Sequence, residues 1–296
     1  MVKKRIKDTR EDRALYFIFY LFLTLLLIIT LYPMYFVVVA SFSDPTYVNS
    51  GALLLWPKGF HFTGYEYAFA EKGIWTGYLN TIFYAVGGTS LGLIVSLMAA
   101  YGLSRNDLPG RKLFNLLLVF TMYFNGGLIP TYIVVQKLGL VNTRTWMVLA
   151  FAVSAYNIIL IRTFFRSNIP QDLLDAASID GCGNIRFFVS IVLPLSKAII
   201  AVIGLYLIVT YWNAYFTAMI YLNDADKYPL QIYLRKILMA ANATREETTV
   251  GEELRRHMMQ VSKYAVIVLS TLPVMCAYPF LQKYFVQGVM IGSLKA

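Results

Sequence analysis

The chain has 296 residues, of which 58% are hydrophobic and 14% charged, with a formal charge of +10 and a mean hydropathy of +0.59. A soluble domain carries roughly 25% charged residues, so the composition favours a bilayer over water. The basic balance does not point to nucleic acid, because its charges fall between long apolar runs and form no basic, aromatic-interleaved patch.

The first thirteen residues form a highly charged tail, and Ala14 to Ser43 then runs without a charge. A signal peptide has an apolar core of roughly 7–15 residues, so this run is expected to remain as a first membrane span. A helix needs about 20 mostly apolar residues to cross the hydrocarbon, and lone strands would leave backbone groups unsatisfied there. On that basis the sequence predicts an all-α polytopic membrane protein with six transmembrane helices. The stretches are Ala14–Ser41, Tyr78–Leu103, Leu113–Val135, Trp146–Ile161, Ser196–Leu222 and Tyr264–Gln282. Residues 1–13 and 285–296 are then cytoplasmic tails, and 14–284 is the transmembrane domain, with a cytoplasmic loop at 168–194 and an external loop at 223–263.

Orientation follows from Lys and Arg. With the N-terminus inside, the inner segments hold fifteen of the 26 and the outer ones eleven, seven of them in the loop 223–263. Long loops translocate with weak regard to charge, so N- and C-termini are both expected in the cytoplasm. Tyr and Trp residues such as Tyr35, Trp56 and Trp75 crowd the first outer loop and its borders, as interfacial belts do. Gly88 and Gly92 make a G-x-x-x-G pair that predicts close helix packing. Leu103–Lys112, with Pro109-Gly110, is expected to be a tight inner turn.

The segment from Asn168 to Pro194 is not a simple connector. It predicts two short helices with a corner at Gly181. Ser167 or Asn168 would cap the first helix, Pro170 would sit in its first turn, and Asp172 and Asp175 would complement its dipole. Ala176 and Ala177 would offer a smooth surface for close approach. The second helix would bury Phe187, Phe188 and Ile191 and end ahead of Pro194. Such a corner is either a knob for a partner's groove or an amphipathic connector on the membrane face.

The segment resembles the signature loop of bacterial ABC-importer permeases, E-A-A-x-x-D-G-A-x8-I-x-L-P. Ala176, Ala177, Asp180, Gly181, Ile191, Leu193 and Pro194 match in register, while Asp175 replaces the glutamate and Cys182 the last alanine. Tyr211-Trp212-Asn213-Ala214-Tyr215-Phe216 resembles the W-N-E-F element of carbohydrate-importer permeases. The tail Gln282–Ala296 resembles the end of the six-span maltose-type subunit. The loop 223–263 is the least typical part and points towards the branch serving oligosaccharides or polysaccharides.

The resemblance implies a type I ABC-importer permease fold in the bacterial inner cell membrane. The expected partners are a homologous second permease, two cytoplasmic ABC ATPase subunits and an extracytoplasmic solute-binding protein, all set among membrane lipids. Asp175, Ala176, Ala177, Asp180, Gly181, Leu193 and Pro194 would then form the ATPase-coupling interface. The chain has no Gly-Lys dipeptide and hence no phosphate loop, so ATP and Mg are assigned to the ATPase and no cofactor to this chain.

The expected substrate pathway draws on Tyr123, Asn125, Asn157, Tyr211, Trp212, Asn213 and Tyr215, with interhelical hydrogen bonding or packing as the competing role for each. The charged run Glu246–Arg256 is expected to be a solvated outer helix, with contact to the binding protein or an anionic sugar as the alternative. Cys182, Cys276, His61 and His257 are too scattered for a disulfide framework or a metal site, and no catalytic residue is assigned. A secondary carrier would place ionisable groups at membrane depth and a membrane enzyme would converge them there. The predicted spans hold almost none. An ABC permease for a non-sugar solute stays open.

Overall fold

The structure is a computed structural model that describes residues 9–52, 55–242, 258–276 and 279. The tail from Gln282 to Ala296 and the run Glu246–Arg256 lie outside the described residues. Those described are predominantly helical, with no strand among them. In chain order the helices are α1 (Arg10–Ser41), α2 (Pro45–Asn49), α3 (Thr63–Ala70), α4 (Lys72–Ser104), α5 (Arg111–Tyr123) and α6 (Leu128–Lys137). Then come α7 (Arg144–Leu149), α8 (Ala155–Asn168), α9 (Gln171–Ile179), α10 (Asn184–Phe187), a π turn at Phe188–Val192 and α11 (Leu193–Leu195). The chain continues through α12 (Lys197–Trp212), α13 (Tyr215–Tyr221), α14 (Leu230–Asn242) and α15 (Met258–Cys276).

Among the described residues three helices, α1, α4 and α15, are long and apolar enough to cross a membrane, or up to five if each bent pair counts as one span. The apolar stretches chosen from sequence do not all fold as single rods, and local chemistry explains each break. Residues 113–135 become α5 and α6, bent by 111°. The breaker is Asn125-Gly126-Gly127, where Gly127 takes φ +87° and Pro130 enters the first turn of α6, whose N–H groups lack intrahelical partners anyway. Residues 146–161 divide because Ser154 caps a new helix, accepting from the Asn157 N–H at 3.4 Å, and α8 then runs on past Arg162. The fifth stretch breaks at Asn213, whose side chain donates back to the Val209 carbonyl at 2.9 Å. The predicted outer loop 223–263 contains α14, an amphipathic helix that composition alone had hidden.

The described chain divides into two compact units. The first comprises the described residues within 9–70 and 237–269. Thr9 starts its α1 with a capping box, accepting from Asp12 N–H while the Asp12 carboxylate accepts from Thr9 N–H. Most of α1 exposes large apolar side chains, and only its end (Val39, Ala40, Ser41) is buried. There Ser41 Oγ shares a 2.8 Å hydrogen bond with Tyr65 OH, and Phe42 packs its ring on Phe60 and Tyr65.

The second unit comprises the described residues within 71–236 and 270–279. Its axis is α4, which packs on α12, α8 and α7. The Gly88–Gly92 pair explains that approach: a Cβ at Gly88 would run into the ring of Tyr211. Tyr211 lies across the glycine and donates its hydroxyl to the Val148 carbonyl. At the opposite end from Ser104, Asn80 Nδ2 donates to the Asp226 carbonyl (2.7 Å) and Tyr84 OH to that of Lys227 (2.8 Å). Lys227 and Asn142 both donate to Asp224 Oδ2, at 2.7 and 2.9 Å, and hold the carboxyl below the usual range.

Candidate functional site

The predicted corner is a helix–turn–helix whose two faces differ in burial. On α9, Ala177 is buried and Leu174 half-buried, packed in a cluster with Ile169, Cys182, Phe187 and Val192. Asp172, Asp175, Ala176, Asp180 and Gly181 are exposed. This corrects one expectation: only Ala176 of the alanine pair is on the outer surface, because Ala177 falls in the helical phase of the buried Leu174 face. Leu193 is half-buried and Pro194 exposed.

Gly181 ends α9 at φ +71°, the left-handed region that an L side chain enters at a cost of about 1–2 kcal/mol. Its N–H donates to Ser178 O (3.1 Å), and the next N–H, of Cys182, reaches Ala177 O (2.9 Å). This pattern satisfies the last carbonyls of the helix. Nothing lies within 4 Å of the position a Gly181 Cβ would take, so a side chain there would be strained but not crowded.

Three local expectations fail. Ser167 and Asn168 do not cap α9, because α8 extends through both and Pro170 occupies the cap position without a side-chain bond. Asp172 lies in the first turn of α9, while Asp175 sits one turn further and accepts from Gln171 Nε2 at 3.1 Å. The second helix does not stop ahead of Pro194. A π turn at Phe188–Val192 widens it, and α11 carries the proline near its start. The wider turn absorbs the hydrogen bond that a proline deletes. Of its three predicted core residues, Phe187 is buried, while Phe188 and Ile191 are half-buried against the same cluster.

Two residues of this face were missed. Ile179 is 87% exposed and Ile185 81% exposed, one on each side of Gly181. The signal was present: Ile179 follows the buried Ala177 by two positions, which on a helix turns it to the other face. The outward surface is thus acidic, apolar and small at once.

The corner is braced on the end of α4. Tyr101 OH donates to the Asn184 carbonyl (3.4 Å), and its ring lies 4.8 Å from that of Phe188. Asn106 Nδ2 donates to Gln171 Oε1 (3.4 Å). A cavity of about 190 Å³ separates these braces, lined by Tyr101, Arg105, Arg166, Gln171 and Leu174 among others. Arg105 forks onto Asp107 at 2.6 and 2.8 Å, which holds the carboxyl below its usual range and raises the guanidinium pKa.

The candidate pathway residues separate by how far the fold has already engaged them. Tyr211 is 1% exposed and bound to Val148, and Trp212 is 6% exposed with Nε1 donating to the Ser270 carbonyl at 2.9 Å. Both are packing residues in this arrangement. Asn157 is buried in the first turn of α8. Tyr123 is exposed at the end of α5, and Asn125 stabilises the α5–α6 break by accepting from Gly127 N–H at 2.9 Å.

Asn213 and Tyr215 remain accessible and meet α14. Gln231 Nε2 donates to Asn213 Oδ1 at 3.4 Å, and Arg235 Cζ lies 5.2 Å from the centre of the Tyr215 ring. Gln231 and Arg235 were not among the predicted pathway residues, because they fall in what read as an outer loop. Together the four side chains present two amides, an aromatic face and a cation, a set suited to hydroxyl and carboxylate groups.

No family model matches the chain. It is 40% identical over 285 residues to the polygalacturonan/rhamnogalacturonan transport system permease protein YtcP of Bacillus subtilis (strain 168), covering 96% of this chain and 99% of that one. It is 38% identical over 269 residues to Protein LplC of the same organism, covering 90% of each. Among solved structures it matches a chain of a bacterial ABC transporter involved in the import of the acidic polysaccharide alginate. That match has a TM-score of 0.86 and 35% identity, covering 95% of this chain and 99% of the other.

Proposed function

The chain belongs to the ABC-transporter permeases of the carbohydrate-uptake family, and from that membership we propose that it is one transmembrane half of an ATP-driven importer for an acidic oligosaccharide or polysaccharide. The observation that carries the coupling role is the corner itself: a buried underside with Asp175, Ala176, Ile179, Asp180 and Ile185 turned outward around Gly181. A surface of that kind fits a groove on a separate ATPase subunit. Two such subunits, which hold ATP and Mg, would push on it. The braces from Tyr101 and Asn106 would pass that push to α4, around which the second unit is packed.

In this reading six spans cross the bacterial inner membrane with both termini in the cytoplasm. The bent pair α5–α6 serves as one span, α7–α8 and α12–α13 as the fourth and fifth, and α1, α4 and α15 as the others, which leaves α9 and α10 as the cytoplasmic corner. A homologous permease completes the pathway, and a solute-binding protein delivers cargo from outside. The acidic cargo draws support from relatives named for galacturonan and alginate transport and from Arg235 beside Tyr215. Asn213, Tyr215, Gln231 and Arg235 are the side chains of this chain best placed to touch it.

The test uses the whole importer in proteoliposomes with its binding protein. ATP hydrolysis is expected to rise with oligogalacturonate or oligoalginate and to stay basal with a neutral maltooligosaccharide. Stimulation by the neutral sugar alone overturns the cargo, and stimulation by phosphate or peptide alone overturns the carbohydrate class. A reporter fused after Lys295 should be found inside the cell; an outside reading overturns the topology.

A further inference from the structure

Three arginines of the second unit collect where α5 begins and α8 ends. Arg162 and Arg166 are one turn apart on α8 and so share a face. Arg162 Nη1 donates to Asn115 Oδ1, and Asn115 Nδ2 donates in turn to the Arg111 carbonyl at 2.8 Å, which fixes the amide with its oxygen towards Arg162. Arg111 is held by Asn106 Oδ1 (2.6 Å) and the Arg105 carbonyl (3.1 Å).

Among the described residues no carboxylate forms an ion pair with any of the three, and the acid in the adjoining turn, Asp107, is occupied by Arg105. Arg162 Nε is buried without a hydrogen-bond partner. Its guanidinium pKa is lowered, first by burial and then by the like charges of Arg166 and Arg111. Three cations, a buried free donor and no counter-charge form a cluster that an anion would complete.

We infer that Arg111, Arg162 and Arg166 form a site for a phosphate-type anion, occupied by the headgroup of an anionic phospholipid. Guanidinium forks match the paired oxygens of a phosphodiester. What favours a lipid over a soluble phosphate is the surface that starts at Arg111. Along α5, Leu113, Phe114, Leu117 and Phe120 are all exposed, so an acyl chain would lie beside the headgroup that the arginines hold. Basic pockets between helices at the cytoplasmic boundary of a membrane bind such headgroups. The lipid assignment rests on the topology proposed above, which puts this end of α5 and α8 at the inner boundary.

The experiment is lipid retention by the intact importer complex, purified from vesicles of equal phosphatidylglycerol and phosphatidylcholine and read by native mass spectrometry. The wild-type complex should retain phosphatidylglycerol in preference, with retention falling about fivefold for each arginine replaced, as expected for one surface charge. The variants are Arg162→Gln, Arg166→Gln and Arg111→Gln, with Arg162→Lys as the charge-preserving control. Equal retention of the two lipids, or undiminished phosphatidylglycerol in the triple variant, overturns the site.

Inorganic phosphate serves as the second probe. If it perturbs the complex by 31P NMR line broadening, lost in the triple variant, while phosphatidylglycerol shows no preference, the occupant is soluble and the lipid assignment falls. Topology is read separately, from maleimide labelling of Ile179→Cys in sealed cells. Labelling from outside would defeat the orientation without altering the retention result.

Discussion

The α9–α10 corner and the α12–α14 region were both singled out in the sequence, yet they differ in how much tertiary structure decides them. At the corner the signal is local. A glycine with positive φ ends the helix, and the pattern of small, acidic and apolar residues sets which face turns outward. In the α12–α14 region the same residue types have been claimed by neighbours: Tyr211 by Val148 and Trp212 by Ser270, while Asn213 and Tyr215 stay accessible. A motif made by the chain's own turn can be recognised from sequence, whereas a polar group in a packed bundle can be assigned only after its partners are known.

The largest expected effect tests the corner. Gly181→Val should abolish ATP-driven uptake, by tenfold or more, while leaving membrane insertion unchanged, since the added side chain meets strain and not crowding. Gly181→Asn, which tolerates the left-handed region better, should recover much of the loss. Equal uptake by wild type and the valine variant would remove the corner from the coupling route.

Next in size, Ile179→Asp with Ile185→Asp should weaken association of the ATPase by about tenfold, a typical effect for exposed apolar anchors of an interface. Pull-down of ATPase by detergent-solubilised permease measures it. Unchanged association would place the docking surface elsewhere. These two isoleucines also show the limit of the sequence. The signature residues were legible because they match a family's motif in register, but the exposure of Ile179 and Ile185 became visible only in the fold.

The same contrast holds for the fold. Long runs such as those of α1 and α4 were legible as helices, and the Gly88–Gly92 pair as a packing face. Helix breaks were not. Hydropathy averages over Gly127 and Ser154, which each begin a new helix, and Asn213, which ends one, through a hydrogen bond or a dihedral angle that carries little weight in a window of apolar residues. Gln231 and Arg235 were missed because α14 lies in a stretch whose mean composition is that of a loop, although Leu230 and Ile232 in its first turn are buried.

A smaller effect sharpens the pathway side of the comparison. Arg235→Gln should raise the concentration of acidic oligosaccharide-loaded binding protein needed for half-maximal ATPase stimulation by several-fold. Tyr211→Phe should leave it unchanged and cost about 1 kcal/mol of stability through the lost hydroxyl bond. If Tyr211→Phe shifts cargo dependence and Arg235→Gln does not, the division between packing and accessible residues is reversed.

The smallest effect concerns the braces under the corner and is read from pH. Arg105 holds Asp107 below its usual pKa, so the folded state binds that proton more weakly than the unfolded chain does. The stabilisation is therefore complete above the unfolded pKa of about 3.9 and is lost as pH falls through the lower folded value. Because the Asp107 side chain is 65% exposed, solvent screening keeps the pair below about 1 kcal/mol. Asp107→Asn should lower the thermal midpoint slightly at pH 6, with the difference from wild type shrinking as pH falls below about 3.9 and through the lower folded value. A difference that stays constant across that range would mean that the carboxylate charge contributes nothing, and that the turn beneath the corner is held by Tyr101 and Asn106 instead.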